Sequence, residues 1–445
     1  LKVLLIMPDA RMHKFRLGSY ICSLREAPLT LVTLAALIPD DENIEWKLID
    51  ESVEPVPLDY PADLVGISVL TGTAVGAYRL SSHFRNRGIP VVLGGIHVTI
   101  MPGEAAEHAD AIVTGMAERS WPELVRDFQA GQLKDHYSEC DESDGFAGVS
   151  VVPRRDLLRQ KRYIVSNSVQ ATRGCSRRCD FCTVSAVWAG FSRKPVLDVI
   201  ADVRSIRRKT FVFNDVNLLD NAEYARELFT ALKPLGKRWG GLATLDSLRD
   251  EEMVSLMARS GCIYVLTGFE SVNQQGLQMI SKGFNRVDEY KSIVDRLHRH
   301  GISVQGCFVF GMDSDDTSVF HRTVEFVTDI GIDIPRYSIY TPYPGTPLFI
   351  RLLKENRILS LNWNDYDTMH VVYRPALLSP EELFSGFKHA YRDTFSYRRI
   401  MRRCSSPGLS SVLNLAGNLT YRRFVSRLFN SRNYENYCST VQELE

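Results

Sequence analysis

The sequence predicts an α/β protein in three parts: an N-terminal doubly wound, Rossmann-like domain, a central partial (β/α)6 barrel, and a mainly helical C-terminal domain. Three observations lead there. Through the first third of the chain, short apolar runs alternate with amphipathic stretches, the signature of buried parallel strands joined by helices. Over 136–166 the periodicity disappears among acids, Gly, Pro and basic residues, then returns with a different spacing. After residue 361 the chain is Arg-rich and has no strand alternation. The expected limits are 1–135, a linker at 136–166, a barrel at 167–361 and a helical part at 362–445.

Within the first part, "KVLLIM" (2–7), "LVGISVL" (64–70), "VVLGG" (91–95) and "AIVTG" (111–115) read as buried parallel strands. Helices are expected over 28–38, 72–88 and 102–109. In the second part, strands are expected near 168–172, 210–214, 239–243, 262–267, 303–309 and 336–341. Between them, helices are expected over 195–208, 221–235, 250–261, 287–301 and 317–331. Val199, Ile200, Val203 and Ile206 recur at helical spacing, and several of these segments close on Gly. In such barrels chemistry sits on loops that follow the strands.

Lys plus Arg and Asp plus Glu both number 53. That balance gives no electrostatic case for nucleic acid as a partner. No segment approaches the roughly 20 apolar residues of a membrane span, so peripheral contact is the most expected of a membrane. The apolar run at the start is too short for a signal-peptide core, and a cytoplasmic protein is expected. Nine cysteines in a reducing compartment point to metal before disulfides.

Three of those cysteines, Cys175, Cys179 and Cys182, stand together in "TRGCSRRCDFCTV" at spacing C-x3-C-x2-C. A structural zinc needs four ligands, and the other cysteines are distant in sequence. A cubane iron–sulfur cluster normally takes four thiolates. With three supplied, one iron stays open to a small molecule. Cys262 and Cys307 fall inside expected strands and read as core residues.

A C-x3-C-x2-C motif after the first strand of a βα barrel resembles the radical S-adenosylmethionine (SAM) enzymes. The resemblance implies that the open iron of a [4Fe-4S] cluster chelates SAM, and that an electron from the cluster releases a 5′-deoxyadenosyl radical. It also implies an external one-electron reductant of the flavodoxin or ferredoxin type. Phe181 matches the family's aromatic beside adenine. Asn214 and Asp215 in "FVFNDVNLLDN", Glu270 and Ser271 in "TGFES", and Gly306 and Gly311 in "VQGCFVFGMD" match positions that surround SAM. "YTPYPGTPLF" (340–349) resembles the last strand ending of the branch that carries a cobalamin domain.

Residues 63–124 resemble that cobalamin-binding domain over its full length. The positions placed at the cofactor are Ser68, Leu70, Thr71, Thr73, Gly94, Gly95, His97, Gly115 and Glu118. The sequence has no D-x-H-x-x-G and reads "GMAE" at 115–118 where relatives usually read G-E-G-E. His97 is therefore expected on a loop or at the surface and not as a cobalt ligand. Cobalamin is expected base-off, with Leu70 to Thr73 near its lower face.

Residues 362–403 resemble a segment appended to the branch that includes hopanoid methylases. The tail carries Arg398, Arg399, Arg402, Arg403, Arg422, Arg423 and Arg427 among Ile400, Leu413, Phe424 and Leu428. Such a surface suits either anionic lipid headgroups or the enzyme's own acids.

The family resemblance implies a cobalamin-dependent radical SAM methyltransferase acting on an unactivated carbon of a small-molecule or lipid substrate. Two alternatives are a non-methylating rearrangement or cyclisation with the same cofactors, and a non-catalytic cobalamin or redox sensor.

Overall fold

The computed structural model describes residues 1–9, 14–17, 20–38, 43–138, 146, 149–188, 190–404 and 409–429. Cys140 and Cys438 lie outside them, as do the side chains of Cys22, Leu413, Arg427 and Leu428. Among the described residues, two six-stranded parallel sheets organise the chain.

In the first sheet the strands run in the order Glu45–Asp50, Lys2–Met7, Leu64–Ser68, Val91–Gly94, Ala111–Thr114 and His136–Ser138. The order reverses between Lys2–Met7 and Leu64–Ser68, which pair in parallel. A doubly wound sheet opens a ligand crevice at such a switch point, beyond the carboxyl ends of the strands. All four expected strands are present, because each is a short apolar run buried on both faces. Glu45–Asp50 was not expected; its charged first half is exposed and only Leu48, Ile49 and Asp50 are buried.

The second sheet orders Ser168–Val169, Thr210–Phe213, Arg238–Leu242, Cys262–Glu270, Ser303–Phe310 and Ile334–Ile339 exactly as they follow in sequence. This is the open (β/α)6 barrel that the alternation predicts. Its helices start where capping chemistry allows: Asn221 accepts from Tyr224 N at 2.9 Å, and Asp250 from Glu252 N and Met253 N. The edge strand Ile334–Ile339 is covered at Ile339, whose N–H donates to Thr368 O at 2.7 Å, and at Tyr337 by one side chain. Tyr391 OH accepts from Tyr337 N at 3.1 Å and donates to Tyr337 O at 2.8 Å, occupying groups that would otherwise face solvent.

Residues 136–166 do more than link. His136–Ser138 extends the first sheet, and Tyr163–Val165 pairs with Tyr20–Glu26, itself hairpinned to Lys14–Leu17. Arg155 forms a buried pair with Asp202 at 2.6 Å and donates to Ser168 O. Tyr137, Val149, Val151 and Leu157 join the N-terminal core, while Tyr163 packs with Ala27 and Val53.

The helical part also interlocks with the others. Trp363, Tyr366 and Val372 belong to the N-terminal core, and Trp363 Nε1 donates to the Glu104 carboxylate at 2.9 and 3.0 Å. The long helix Pro380–Thr394 opens on a Ser379–Glu382 capping box. Most of the tail's arginines bind their own chain. Arg399 pairs with Glu325 and Asp393, Arg402 with Asp329, and Arg403 and Arg422 donate to backbone carbonyls. Among the described residues, no helix is long and apolar enough to cross a membrane.

Candidate active site

The C-terminal rim of the first sheet faces the loops of the barrel across a cavity of about 420 Å³. Its inner end lies within the N-terminal domain, between Leu5, Leu31, Leu34, Gly66, Val92 and Trp121. The polar atoms there are spent on the chain. Trp121 Nε1 donates to Leu34 O at 3.1 Å and Thr33 Oγ1 to Leu29 O at 2.8 Å. Gly66 keeps the space open, since a Cβ would stand 2.7 Å from Leu5 Cδ2 and 3.5 Å from the Trp121 ring. The outer end reaches Gln170, Arg173, Gly174, Trp188 and Asn214 on the barrel side.

Of the positions expected at cobalamin, Ser68, Leu70, Gly94, Gly95, Gly115 and Glu118 line this cavity. Gly95 has φ +106°, and a Cβ there would meet Val69 O at 2.8 Å, so only glycine lets this turn lie against the neighbouring strand end. Thr71, Thr73 and His97 are absent from the cavity wall. Thr73 Oγ1 closes the turn on Leu70, accepting from its N–H at 3.1 Å and lying 3.0 Å from its carbonyl.

His97 corrects the expectation of a loop or surface residue. It sits on the short helix Ile96–Ile100, fully buried. Its ring nitrogens face Thr71 Oγ1 at 3.3 Å and Glu104 Oε1 at 3.4 Å, and its ring packs against Trp363. Burial holds its pKa below the usual value despite Glu104. The aromatic plug from the C-terminal part covers it, which no local pattern around residue 97 announces.

The loop that carries the three motif cysteines springs from a short antiparallel stem, Thr172–Gly174 with Phe191–Arg193. Gly174, at φ +80°, presses against Gly190 O, where a side chain would collide. Asp215 is buried beneath the stem. It accepts from Ala171 N, Thr172 N and Thr172 Oγ1. Burial raises its pKa to about 6, with these donors opposing. It is thus a strut, while its neighbour Asn214 is exposed on the cavity wall.

Asp220 accepts from Ser176 N at 3.1 Å and Asn217 Nδ2 at 2.6 Å. Asp180, inside the motif, receives the hydroxyl of Tyr340 at 2.7 and 2.8 Å. Phe181 packs edge-on against the same Tyr340. The strand ending 340–349 therefore buttresses the motif, and its Gly345 leaves room for Ile100 of the N-terminal domain.

All three motif cysteines carry free thiols whose pKa burial pushes up, Cys179 to about 12. Opposing groups favour thiolate. Lys282 acts on Cys179 and Cys182, while Arg177 N and Asn217 Nδ2 point at Cys175 Sγ from 3.4 and 3.7 Å. Partly buried sulfurs with N–H groups and a cation around them suit an iron–sulfur cluster, which binds thiolates and is tuned by such contacts.

Lys282 escapes the sequence reading. Its ammonium pairs with Glu270 at 2.5 Å, and both are buried. Burial alone would lower its pKa, but Glu270 and the two thiols outweigh burial and raise it. Glu270 adopts φ +64°, a conformation rare outside glycine. Ser271 is buried and its Oγ accepts from Asn273 N at 3.0 Å.

Gly306 and Gly311 pack against protein. A Cβ at Gly306 would stand 3.1 Å from Phe269, in the barrel's helix-facing core. Gly311, at φ +99°, accepts from Tyr373 OH through its carbonyl. The residues flanking Gly306, Gln305 and Cys307, are half-buried on the opposite, concave face, together with Tyr264 and Arg336. Cys262 is buried as expected; Cys307 is only partly so.

Residues 169–327 match the radical SAM superfamily and residues 27–125 the B12 binding domain. The chain is 30% identical to the bacteriochlorophyllide d C-12(1)-methyltransferase of Chlorobaculum tepidum, over 90% of this chain and 89% of the relative. It is 29% identical to the C-8(2)-methyltransferase of the same organism, over 89% and 92%. The fold matches the radical SAM methyltransferase TsrM of Kitasatospora setae at TM-score 0.67, with 17% identity, 100% of this chain and 99% of that one covered.

The chain belongs to the cobalamin-binding radical SAM enzymes. It is a cobalamin-dependent radical SAM methyltransferase whose cofactors are a [4Fe-4S] cluster, SAM and cobalamin.

Proposed function

We propose that this methyltransferase acts on an unactivated carbon of a tetrapyrrole-class substrate, with Cys175, Cys179 and Cys182 holding the cluster and the shared cavity holding cobalamin. The observation that carries the site assignment is the cavity itself, which joins the sheet's switch point to the cluster stem without a break. The substrate class rests on the two bacteriochlorophyllide methyltransferases.

When bound, the cluster and SAM supply a radical and cobalamin supplies a transferable methyl group, chemistry that protein side chains lack. The chain's own part is placement and exclusion of water. Leu5, Leu31, Leu34 and Trp121 offer an apolar slot for the cofactor's aryl tail, while Ser68, Leu70, Gly94, Gly95, Gly115 and Glu118 form the rim. Lys282 and Glu270 hold charge beside the cysteines, Phe181 offers a flat face for adenine, and Asn214 a polar group at the wall. Asp215, Gly306 and Gly311 act as support. A flavodoxin- or ferredoxin-type donor in the cytoplasm would complete the system.

The test is anaerobic incubation of the reconstituted holoenzyme with SAM, a low-potential reductant and bacteriochlorophyllide d. The expected result is a product heavier by one methylene unit together with 5′-deoxyadenosine. Deoxyadenosine with no methylated tetrapyrrole, from this or related macrocycles, would overturn the substrate class.

A further inference from the structure

Arg173 lies on the cluster stem, two residues before Cys175, with its backbone fixed between Gly174 and the Asp215-anchored Thr172. Its side chain leaves the barrel and crosses to the N-terminal domain. Nη2 donates to Glu118 Oε1 at 2.7 Å and to Gln170 Oε1 at 3.2 Å, and Nη1 to Met116 Sδ at 3.2 Å. The guanidinium lies over the Phe146 ring, 4.5 Å from its centroid, and Lys194 approaches the same ring at 5.2 Å. Met116 and Glu118 sit on the loop following Ala111–Thr114, on the same cavity wall as Arg173. Glu118 is buried and Arg173 largely so, with side chains 8% and 13% exposed.

We infer that Arg173 is a positioning residue, whose ion pair with Glu118 holds the cluster loop at one fixed separation from the cobalamin cavity. The inference rests on the assignment of the cysteine trio to the cluster and of the cavity to cobalamin. An exposed ion pair would fix little. This one is largely shielded from solvent, and its planar fork also engages Gln170 and Met116, so guanidinium direction as well as distance is set. The stem allows no slack on the other side, because Thr172 is tied to Asp215 and Gly174 abuts Gly190. Chemistry shared between two cofactors needs such a lock, since a displacement of about 1 Å can cost on the order of a hundredfold in rate.

The experiment uses holoenzyme loaded with cob(II)alamin and the reduced cluster, both paramagnetic. Their magnetic coupling, read by electron paramagnetic resonance, falls with the inverse cube of separation and arises only in molecules that carry both. Wild type is expected to give one well-defined coupling. Arg173→Met and Glu118→Gln should weaken and spread it, and Arg173→Lys should recover part of the wild-type pattern. Wild-type coupling in doubly loaded Arg173→Met and Glu118→Gln would overturn the inference. If Arg173→Met fails to fold, Glu118→Gln, which keeps shape and an acceptor oxygen, decides alone. Absence of either signal from wild type itself would count against the cofactor assignments instead, so the two failures are distinguishable.

Discussion

Inside the N-terminal domain the cavity is walled by Leu5, Leu31, Leu34, Val92 and Trp121, whereas the cysteine loop and its stem are held by Asp215, Asp220 and Asp180. The first wall is non-directional and specifies a volume. The second is built of polar contacts, buried at Asp215 and partly so elsewhere, each with a set direction, and specifies positions. An apolar wall tolerates substitutions that conserve volume; a buried hydrogen-bond network loses more when a single partner goes, because the others are left unsatisfied. On the proposed site assignment, the methyltransferase has its adaptable wall where a large cofactor would fit and its directional one where radical chemistry would be aimed.

Substitutions at four positions sharpen this contrast. The largest effect belongs to Cys179→Ala: iron content should fall and reductive formation of 5′-deoxyadenosine should cease, as measured by iron assay and mass spectrometry. Next, Asp215→Ala leaves Ala171 N, Thr172 N and Thr172 Oγ1 without their acceptor. A loss of roughly 3 kcal/mol or more is expected in denaturant unfolding, and Asp215→Asn, which keeps one acceptor oxygen, should lose less. If Asp215→Ala unfolds like wild type, the polar anchors do not hold the stem.

A smaller effect is expected on the apolar side. Gly66→Val would crowd Leu5 and Trp121 and should cost about 1–3 kcal/mol of stability. Its clearer sign is weaker binding of cobalamin in a spectroscopic titration, with iron content retained. Unchanged affinity would show that the slot does not receive the cofactor.

The smallest effect is a pH dependence. Asp315 accepts from Gly311 N and Met312 N at 3.0 Å, its Oδ1 is buried without a partner among the described residues, and burial raises its pKa to about 6. The folded state therefore binds this proton more tightly than the unfolded chain. Stability contributed by protonation is present at acid pH and is lost as pH rises through about 6, by at most about 3 kcal/mol. In thermal melts between pH 5 and 7, Asp315→Asn should flatten that part of the slope; an unaltered slope would exclude Asp315 as its source.

The sequence was most legible where function depends on local spacing. Cys175, Cys179 and Cys182 are read within eight residues, and the apolar strands are visible because both their faces are buried. Gly95 and Gly115, singled out in the sequence, line the cavity, and both adopt positive φ. Features depending on distant partners were not legible. His97 looks exposed until Trp363 covers it. Gly306 matches a cofactor position by register, yet side chains alternate across a strand and it is Gln305 and Cys307 that take the concave face. Asp215 and Asn214 are adjacent and similar in chemistry, but only the fold shows that one is a strut and the other part of the cavity wall. Arg173 stands in plain view within the motif, but its partners Met116 and Glu118 come from another domain.

The central claim is that one cavity brings cobalamin and a SAM-bound cluster together. It is tested most directly by reducing holoenzyme with methyl-labelled SAM and quantifying 5′-deoxyadenosine alongside S-adenosylhomocysteine. Both products are expected from wild type and neither from Cys179→Ala. Wild type that holds iron and cobalamin in full yet forms neither product would contradict the account.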